Sequence, residues 1–396
     1  MELRYTFRLK PDPGAEASLA RMFGCARVVW NDALTARKAA FAAGLPFPRT
    51  AELSKLLITQ AKRTTERAWL ASVSSVPLQQ VLRDQDQAWR AFFDSLRGIR
   101  KGAKVGVPAL KSRKDSRQSV RFTANAGWKI TSTGKLSLPK IGHIPVRWSR
   151  QLPCTPSSVT VIKDGAGRYF ASFVVRSDAH ADAARFPVAA GDQGIDLGLS
   201  HFAVLADGSG AHSPKFLRRA EKKLKRRHRA LTRKQKGSKN REKARARLAR
   251  AHAGVADARK NFQHQLSTKL VRENQSVTVE TLNVRGLSRG ALSKSVHDAG
   301  WGQFLRMLEY KAKRYGREFT RVAGEFPSSQ LCSSCGHRAG PKPLNVRMWT
   351  CSQCGTAHDR DWNAGQNLRD EGRRIRATAL QTAPPTPGPG ALTTVR

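Results

Sequence analysis

Four of the six cysteines lie in one short segment as two Cys-x-x-Cys pairs, Cys332/Cys335 and Cys351/Cys354. Each pair can approach a metal ion from a tight turn, and a glycine follows each pair. Four thiolates in this arrangement are typical of a closed tetrahedral Zn²⁺ site, which is structural because no position is left for a substrate. The sequence therefore predicts a zinc ribbon held by these four cysteines.

Two histidines, His337 and His358, lie near the cysteine pairs. Since four thiolates complete the coordination of Zn²⁺, we expect these histidines at the surface or in contact with nucleic acid. Paired cysteines that bind metal, in place of disulfides, are typical of a reducing compartment. We therefore expect the protein in the cytoplasm, associated with the nucleoid.

Three carboxylates occur at positions where a chain normally buries apolar groups. Asp196 lies in the strand-like segment Gly-Ile-Asp-Leu-Gly, Glu280 ends the apolar run that starts at Val277, and Asp361 opens the last predicted helix. An acid held against a sheet is unfavourable unless it binds a cation. Three acids that converge at strand ends can hold two Mg²⁺ or Mn²⁺ ions and cleave a phosphodiester. We predict Asp196, Glu280 and Asp361 as catalytic, metal-binding residues.

Each acid also has another interpretation. Asp361 alone is equally typical of a helix N-cap, and Glu280 alone of an edge or loop acid. The pentapeptide around Asp196 also occurs in actin-like and sugar-kinase ATPases, where the aspartate serves a nucleotide phosphate site. The order of features favours the nuclease interpretation: strand aspartate, basic helical hairpin, strand glutamate, cysteine ribbon, helix aspartate.

The charge of the chain indicates a polyanionic partner. The 396 residues include 72 Lys and Arg against 29 Asp and Glu, a formal net charge of +43. No apolar run approaches the roughly 18 residues of a membrane-spanning helix, so nucleic acid is favoured over a membrane. Residues 215–250 contain 18 Lys and Arg and two acids. A solvated charged face is the alternative, but phosphate binding is expected at Lys222, Lys223, Lys225, Arg226, Arg227 and Arg229.

Periodicity predicts the elements that position these groups. Residues 2–10 alternate as a half-buried strand, 15–43 and about 75–97 have helical spacing, and 119–177 are rich in strands, with a hairpin at 158–175. The second half predicts, in order, strands at 194–198 and 201–205, two basic helices, a strand at 276–282, a helix at 301–315, a strand at 318–323 and a helix at 361–377.

This order of motifs resembles the TnpB family of transposon-encoded nucleases, related to type V CRISPR effectors. The resemblance rests on the three acids, the cysteine ribbon and the segment from Asp359 to Ala364, and it extends over nearly the whole chain. It implies an α+β multidomain protein: an RNase H-like (RuvC) α/β domain with an inserted zinc ribbon, a β-barrel-like wedge domain and a helical recognition insert. Gly365 departs from the family, where many members carry a second alanine.

The resemblance also implies domain boundaries. They are 1–10 and 119–187 for the wedge domain, 11–118 for the recognition domain, 188–325 and 357–378 for the RuvC-like domain and 326–356 for the zinc ribbon. The remaining residues, 379–396, are rich in proline and are predicted to form a disordered tail.

The function implied is that of an RNA-guided DNA endonuclease that binds a guide RNA and a double-stranded DNA target. Gln80 and Thr123 fall where the family reads a short DNA motif beside the target. The alternatives are an RNA-guided DNA binder that does not cut, and a transposase or resolvase of the same fold. Whether the gene lies in a transposon or beside a CRISPR array is a question for the neighbouring DNA.

Overall fold

The computed structural model describes residues 1–115, 117–184, 186–343 and 345–382. The chain forms two compact units: the first contains Met1–Ser177 and Lys234–Arg250, and the second contains Asp178–Arg233 and the residues from Ala251 onward. None of the helices in the described ranges is long and apolar enough to cross a membrane. Most of the predicted tail, from residue 383 onward, lies outside the described residues.

The secondary structure follows the predicted order closely. The strands are β1 (Glu2–Leu9), β2 (Gln118–Thr123), β3 (Lys129–Ile130), β4 (Leu136–Leu138), β5 (Gly142–Ile144), β6 (Val146–Arg147), β7 (Ser158–Lys163), β8 (Tyr169–Arg176), β9 (Gly191–Asp196), β10 (His201–Leu205), β11 (Gly210–His212), β12 (Asn274–Glu280), β13 (Glu318–Val322), β14 (Met348–Thr350) and β15 (Ala357–Asp359). The α-helices are α1 (Pro13–Ala42), α2 (Thr50–Ser54), α3 (Ser75–Leu96), α4 (Ala179–Ala184), α5 (Phe216–Thr232), α6 (Lys239–Glu273), α7 (Val284–Leu287), α8 (Ser293–Ala299), α9 (Trp301–Tyr315) and α10 (Arg360–Thr382).

The first unit is built on an antiparallel sheet with the strand order β2-β7-β8-β1-β6. The alternation in β1 has the expected effect, since Leu3, Tyr5, Phe7 and Leu9 are all buried. A second sheet has the order β3-β4-β5. These pairings form two open sheets, and no ring of paired strands closes into a barrel within the described part of the chain.

Helices α1 and α3 pack beside this sheet. The Asp12 carboxylate accepts the N–H of Ala15 at 2.8 Å and so caps α1, whose first turn contains Pro13. Helix α3 buries Leu78, Leu82 and Trp89, whereas Leu96 at the end of the helix is 66% exposed. The apolar side chains of this helix therefore extend beyond the packed core at this end.

The second unit contains a mixed sheet with the order β11-β10-β9-β12-β13. Strand β12 runs parallel to both β9 and β13, whereas β10 is antiparallel to β9. Val279 pairs with Ile195, so the next residue of each strand, Glu280 and Asp196, ends neighbouring parallel strands. The predicted RNase H-like arrangement of strands therefore brings two of the three acids to one edge.

Helix α10 packs on β9, and glycines lie at the contact. A methyl group at Gly194 would collide with the backbone of α10 at Gly365 and Arg369. A methyl group at Gly365 would lie 3.1 Å from the backbone nitrogen of Ala206. An alanine at Gly365, as in many family members, would therefore need a shift of a few tenths of an ångström between α10 and the residues after β10.

Candidate functional site

The three predicted acids converge in the second unit. Asp196 and Glu280 end β9 and β12, and Asp361 lies in the first turn of α10. Burial raises the pKa of Asp196 to about 8, and the negative charges of Glu280 and Asp361 add to this rise. Burial also raises the pKa of Glu280. Mutual repulsion of this kind arises where several carboxylates share a low-dielectric environment.

Among the described residues, the four cysteines are the one group of three or more side chains placed to hold a metal ion together, and their ligand atoms all lie within 4.8 Å of one another. The proximity of the three acids is expressed instead in the electrostatic effect of Glu280 and Asp361 on Asp196.

The alternative interpretation of Asp361 as an N-cap applies instead to Asp359. Oδ1 of Asp359 accepts the backbone N–H of Asp361 at 3.0 Å and that of Trp362 at 2.9 Å. The first turn of α10 is thus capped by the residue two positions earlier. The carboxylate of Asp361 is left available for other partners.

Asp361 has one strong partner, Arg347, which precedes β14. Nη1 of Arg347 donates to both carboxylate oxygens of Asp361, at 2.9 and 2.8 Å, and Nη2 lies 3.3 Å from the Ser200 hydroxyl. The positive charge of Arg347 offsets a small part of the rise in the pKa of Asp196. Arg347 could not be identified from the sequence, because one arginine among many basic residues has no distinguishing spacing.

The four cysteines form the predicted cluster. The Sγ atoms of Cys332 and Cys354 are 3.6 Å apart, and those of Cys335 and Cys351 are 3.7 Å apart. Tetrahedral Zn²⁺ with Zn–S bonds of about 2.3 Å requires sulfur atoms roughly 3.8 Å apart. The donor set and its spacing therefore fit a structural Zn²⁺ ion.

The expectation that His358 lies at the surface is wrong. This side chain is buried, its Nε2 lies 3.0 Å from Sγ of Cys332, and its ring packs against Trp349. Burial lowers the pKa of His358, which keeps the ring neutral at pH 7. A metal-bound thiolate can only accept a hydrogen bond, so this geometry suits a His358 Nε2–H donor beside the zinc ligand.

The first cysteine turn is attached directly to the helix that carries Asp361. Oδ1 of Asn363 accepts the N–H of Ser333 at 2.9 Å, and its Nδ2 donates to the Leu331 carbonyl at 2.7 Å. Nδ2 of Asn367 donates to the carbonyls of Ser328 and Leu331, at 2.8 and 2.9 Å. The ribbon and the start of α10 are consequently one hydrogen-bonded structure.

The basic helix α5 presents the predicted phosphate-binding side chains. Lys222, Lys223, Lys225, Arg226 and Arg229 are exposed and Arg227 is half-buried, whereas Leu224 is the buried side of the helix. The Asp298 carboxylate accepts the N–H groups of Leu217 and Arg218, which fixes the start of α5. An exposed cationic surface on an anchored helix suits binding to a phosphate backbone.

Gln80 and Thr123 belong to the first unit. Gln80 lies on α3 and is only 5% exposed, and Thr123 ends β2 with its hydroxyl 2.5 Å from Oδ1 of Asn125. Their proposed role in reading DNA stays a prediction.

Family models match three parts of the chain. A model described as "Probable transposase" (OrfB_IS605) matches residues 189–291, and the Cas12f1-like TNB domain matches residues 301–368. A model described as a helix-turn-helix domain matches residues 1–45, where the structure has β1 followed by the single long helix α1.

Whole-chain relatives extend this result. A protein of Streptomyces pristinaespiralis named "Putative RNA-guided DNA endonuclease" is 42% identical over 92% of this chain and 88% of its own length. Escherichia coli "Putative RNA-guided DNA endonuclease InsQ" is 28% identical over 94% of this chain and 93% of its own length. The fold is similar to that of Cas12f1 solved in a complex with guide RNA and target DNA, with a TM-score of 0.54, 14% identity and coverage of 89% of this chain and 82% of that chain. The chain therefore belongs to the TnpB family of transposon-encoded, RuvC-like nucleases.

Proposed function

We propose that this protein is an RNA-guided DNA endonuclease that cleaves target DNA at Asp196, Glu280 and Asp361. The observation that carries the proposal is the convergence of these acids in a buried location: burial, together with the negative charges of Glu280 and Asp361, raises the pKa of Asp196 to about 8. Buried carboxylates that repel one another gain stability from a bound cation. Mg²⁺ or Mn²⁺ ions bound there would activate water and stabilise the leaving oxygen of a phosphodiester.

The protein groups around the acids have complementary roles. Asp196 must release its proton before it can bind a cation, and the neighbouring charges of Arg347 and Arg360 favour that release because they lower its pKa. The planar guanidinium of Arg347, which now contacts both oxygens of Asp361, can bind two phosphate oxygens in the same manner. We infer that Arg347 exchanges between the carboxylate and the DNA backbone.

Nucleic-acid partners follow from the same proposal. The proposed partners are a guide RNA and a double-stranded DNA target. Two observations support them: a relative is named an RNA-guided DNA endonuclease, and Cas12f1 was solved in a complex with guide RNA and target DNA. The exposed cations of α5 would bind phosphates, while pairing between guide and target would supply sequence recognition. Zn²⁺ at the four cysteines would hold the ribbon on α10. An enzyme of this kind would act in the cytoplasm, at the nucleoid.

The test is plasmid cleavage by protein purified with RNA expressed from its own locus. Sequencing that RNA is expected to identify one dominant species with a constant part and a variable end. A plasmid matching the variable end should be cut by the wild type and not by Asp196→Ala. Glu309→Gln is the matched control, because this exposed acid of the same unit pairs with Arg321 at 2.9 Å, on the surface.

Other outcomes would favour the alternative functions. If Asp196→Ala kept the full biological effect of the protein, the RNA-guided binder that does not cut would replace our proposal. DNA strand joining without any bound RNA would favour the transposase, in agreement with the description of one matching family.

A further inference from the structure

A cavity of about 380 Å³ opens beside Asp361, and its aromatic side chains have no role in the function proposed so far. Its lining includes three aromatic rings, Trp362, His201 and His212, together with Arg347 and Asp361. A volume of this size suits a small organic group, and the mixture of aromatic and charged walls suits one that is flat and polar.

Trp362 is the largest ring in this cavity and is held in a fixed orientation. Its indole N–H donates to the carbonyl of Ala206 at 2.9 Å, and a methyl group at Gly208 would lie 3.4 Å from the ring. Even so, Trp362 remains 42% exposed. An indole that is anchored at its edge and open to the cavity is a suitable surface for stacking.

The two histidines form the other aromatic part of the lining. His201 on β10 and His212 on β11 are directly paired across the antiparallel ladder, and their ring centroids are 5.2 Å apart. Both side chains are exposed. Imidazole nitrogens at this position can donate hydrogen bonds to phosphate or sugar oxygens.

We propose that this cavity binds an unpaired nucleotide of the strand being cut, with its base stacked on Trp362 and its backbone contacted by His201 and His212. The proposal rests on the nuclease function proposed above, because Asp361 lies in the same lining. A base inside a DNA duplex is stacked between its neighbouring bases and cannot place its face against Trp362. The cavity therefore selects single-stranded DNA. Stacking tolerates every base, so the cavity adds affinity without adding sequence preference.

The test is a double-mutant cycle between Trp362 and each nucleotide of the DNA. The probes are labelled single-stranded oligodeoxynucleotides in which one abasic nucleotide is placed at each position in turn. Binding is measured with the RNA-loaded protein carrying Asp196→Ala, with and without Trp362→Ala. We expect the abasic nucleotide at one position to weaken binding about tenfold, Trp362→Ala to weaken it equally, and the two changes together to cost no more than either.

Two further variants separate stacking from a merely structural role. Trp362→Phe keeps an aromatic face but loses the hydrogen bond to Ala206, so it should retain most of the coupling. Trp69→Ala is the matched control: Trp69 is 41% exposed and its indole also donates to a carbonyl, that of Glu66, but it belongs to the first unit. The loss of affinity caused by Trp69→Ala should be the same for every abasic oligodeoxynucleotide as for the intact one.

The outcomes distinguish this proposal from the one on which it rests. The wild type could cut matching DNA while the losses of binding affinity from Trp362→Ala and from the abasic nucleotide add at all positions. In that case the cavity is not a nucleotide site. The same conclusion follows if Trp362→Phe loses the coupling as completely as Trp362→Ala. If the wild type cuts no DNA, the nuclease function itself is wrong, and the binding cycle, which uses an inactive variant, still reports on the cavity.

Discussion

The second unit contains two candidate metal sites that are built in opposite ways. The four cysteines lie within 23 residues of one another, in two similar turns, and their sulfur atoms are already at the spacing that Zn²⁺ requires. The three carboxylates come from residues 196, 280 and 361, on two strands and one helix, and they repel one another. Short-range sequence produces the first site, and long-range packing produces the second.

The two sites contribute to the free energy of folding with opposite signs. Zinc binding to a cysteine cluster stabilises the local fold directly. Carboxylates gathered without a cation oppose folding, so the sheet and α10 must hold them together by packing. The hydrogen bonds of Asn363 and Asn367 to the first cysteine turn connect the two sites, because α10 belongs to both.

The largest expected effect is the loss of DNA cleavage, and the amount of bound Zn²⁺ then shows which of the two sites a variant has damaged. Asp361→Asn should lower the rate of DNA cleavage by on the order of 10³-fold while one Zn²⁺ remains bound per chain. Cys351→Ser should lose both the Zn²⁺ and the cleavage. Plasmid cleavage and metal analysis of the purified proteins provide the two measurements.

Asp370→Asn is the control for this pair of variants, since Asp370 lies on the same helix in a surface ion pair with Arg369 at 2.9 Å. Unchanged cleavage by Asp361→Asn would remove this acid from the catalytic group.

A second prediction concerns zinc alone. His358→Gln should weaken Zn²⁺ binding by roughly 10- to 100-fold, because Nε2 of His358 contacts the Cys332 thiolate. The Mg²⁺ concentration for half-maximal cleavage should stay constant while the ribbon is loaded. Competition with a chromogenic chelator measures the zinc affinity. His337→Gln, whose Nε2 is 3.4 Å from the Ser352 hydroxyl, should bind Zn²⁺ normally, and equal losses in both variants would contradict the assignment.

The connection between the sites is tested at Asn363. Asn363→Ala should lower the free energy of unfolding of the zinc-loaded protein by about 1–3 kcal/mol, because this buried side chain is the partner of the Ser333 N–H and one of the two donors to the Leu331 carbonyl. Gln366→Ala removes one half-buried contact with Ser333 and should cost about 1 kcal/mol or less. Denaturant unfolding gives both values, and identical losses would mean that burial at Asn363 is unimportant.

The smallest effect has the opposite sign. In the absence of divalent cations, Asp196→Asn should stabilise the protein by about 1–2 kcal/mol at pH 9, since it removes a buried charge beside two other acids. The folded-state pKa of Asp196, about 8, lies above its ordinary value, so the wild type loses stability as the pH rises from about 4 to 8, whereas the variant lacks this contribution. The gain should therefore shrink toward pH 5.

Thermal unfolding in EDTA at several pH values measures this trend. Added Mg²⁺ should stabilise the wild type more than Asp196→Asn, because the variant has lost a ligand. A gain in stability that is equal at pH 5 and pH 9 would mean that Asp196 does not titrate in this range.

Much of the fold followed from local patterns in the sequence. The alternation in β1, the hairpin of β7 and β8, and the helix Trp301–Tyr315 were predictable because apolar periodicity matches the geometry of each element. The exposure of the end of α3 was not predictable, because periodicity identifies an apolar stripe without showing how far the elements that pack against it extend. Strand position and motif order predicted Asp196, Glu280 and Asp361 as one catalytic group, and that assignment stays a prediction.

Tertiary structure decided the remaining features of the candidate sites. The sequence determined the four-cysteine cluster by itself, since cysteines in two tight turns so near in sequence meet whatever surrounds them. Only packing could place Arg347 on Asp361, bury His358 against Cys332 and open a cavity between Trp362 and the paired histidines. These contacts join residues from different elements, and their geometry depends on how closely α10 approaches the sheet, which glycines at Gly194 and Gly365 permit.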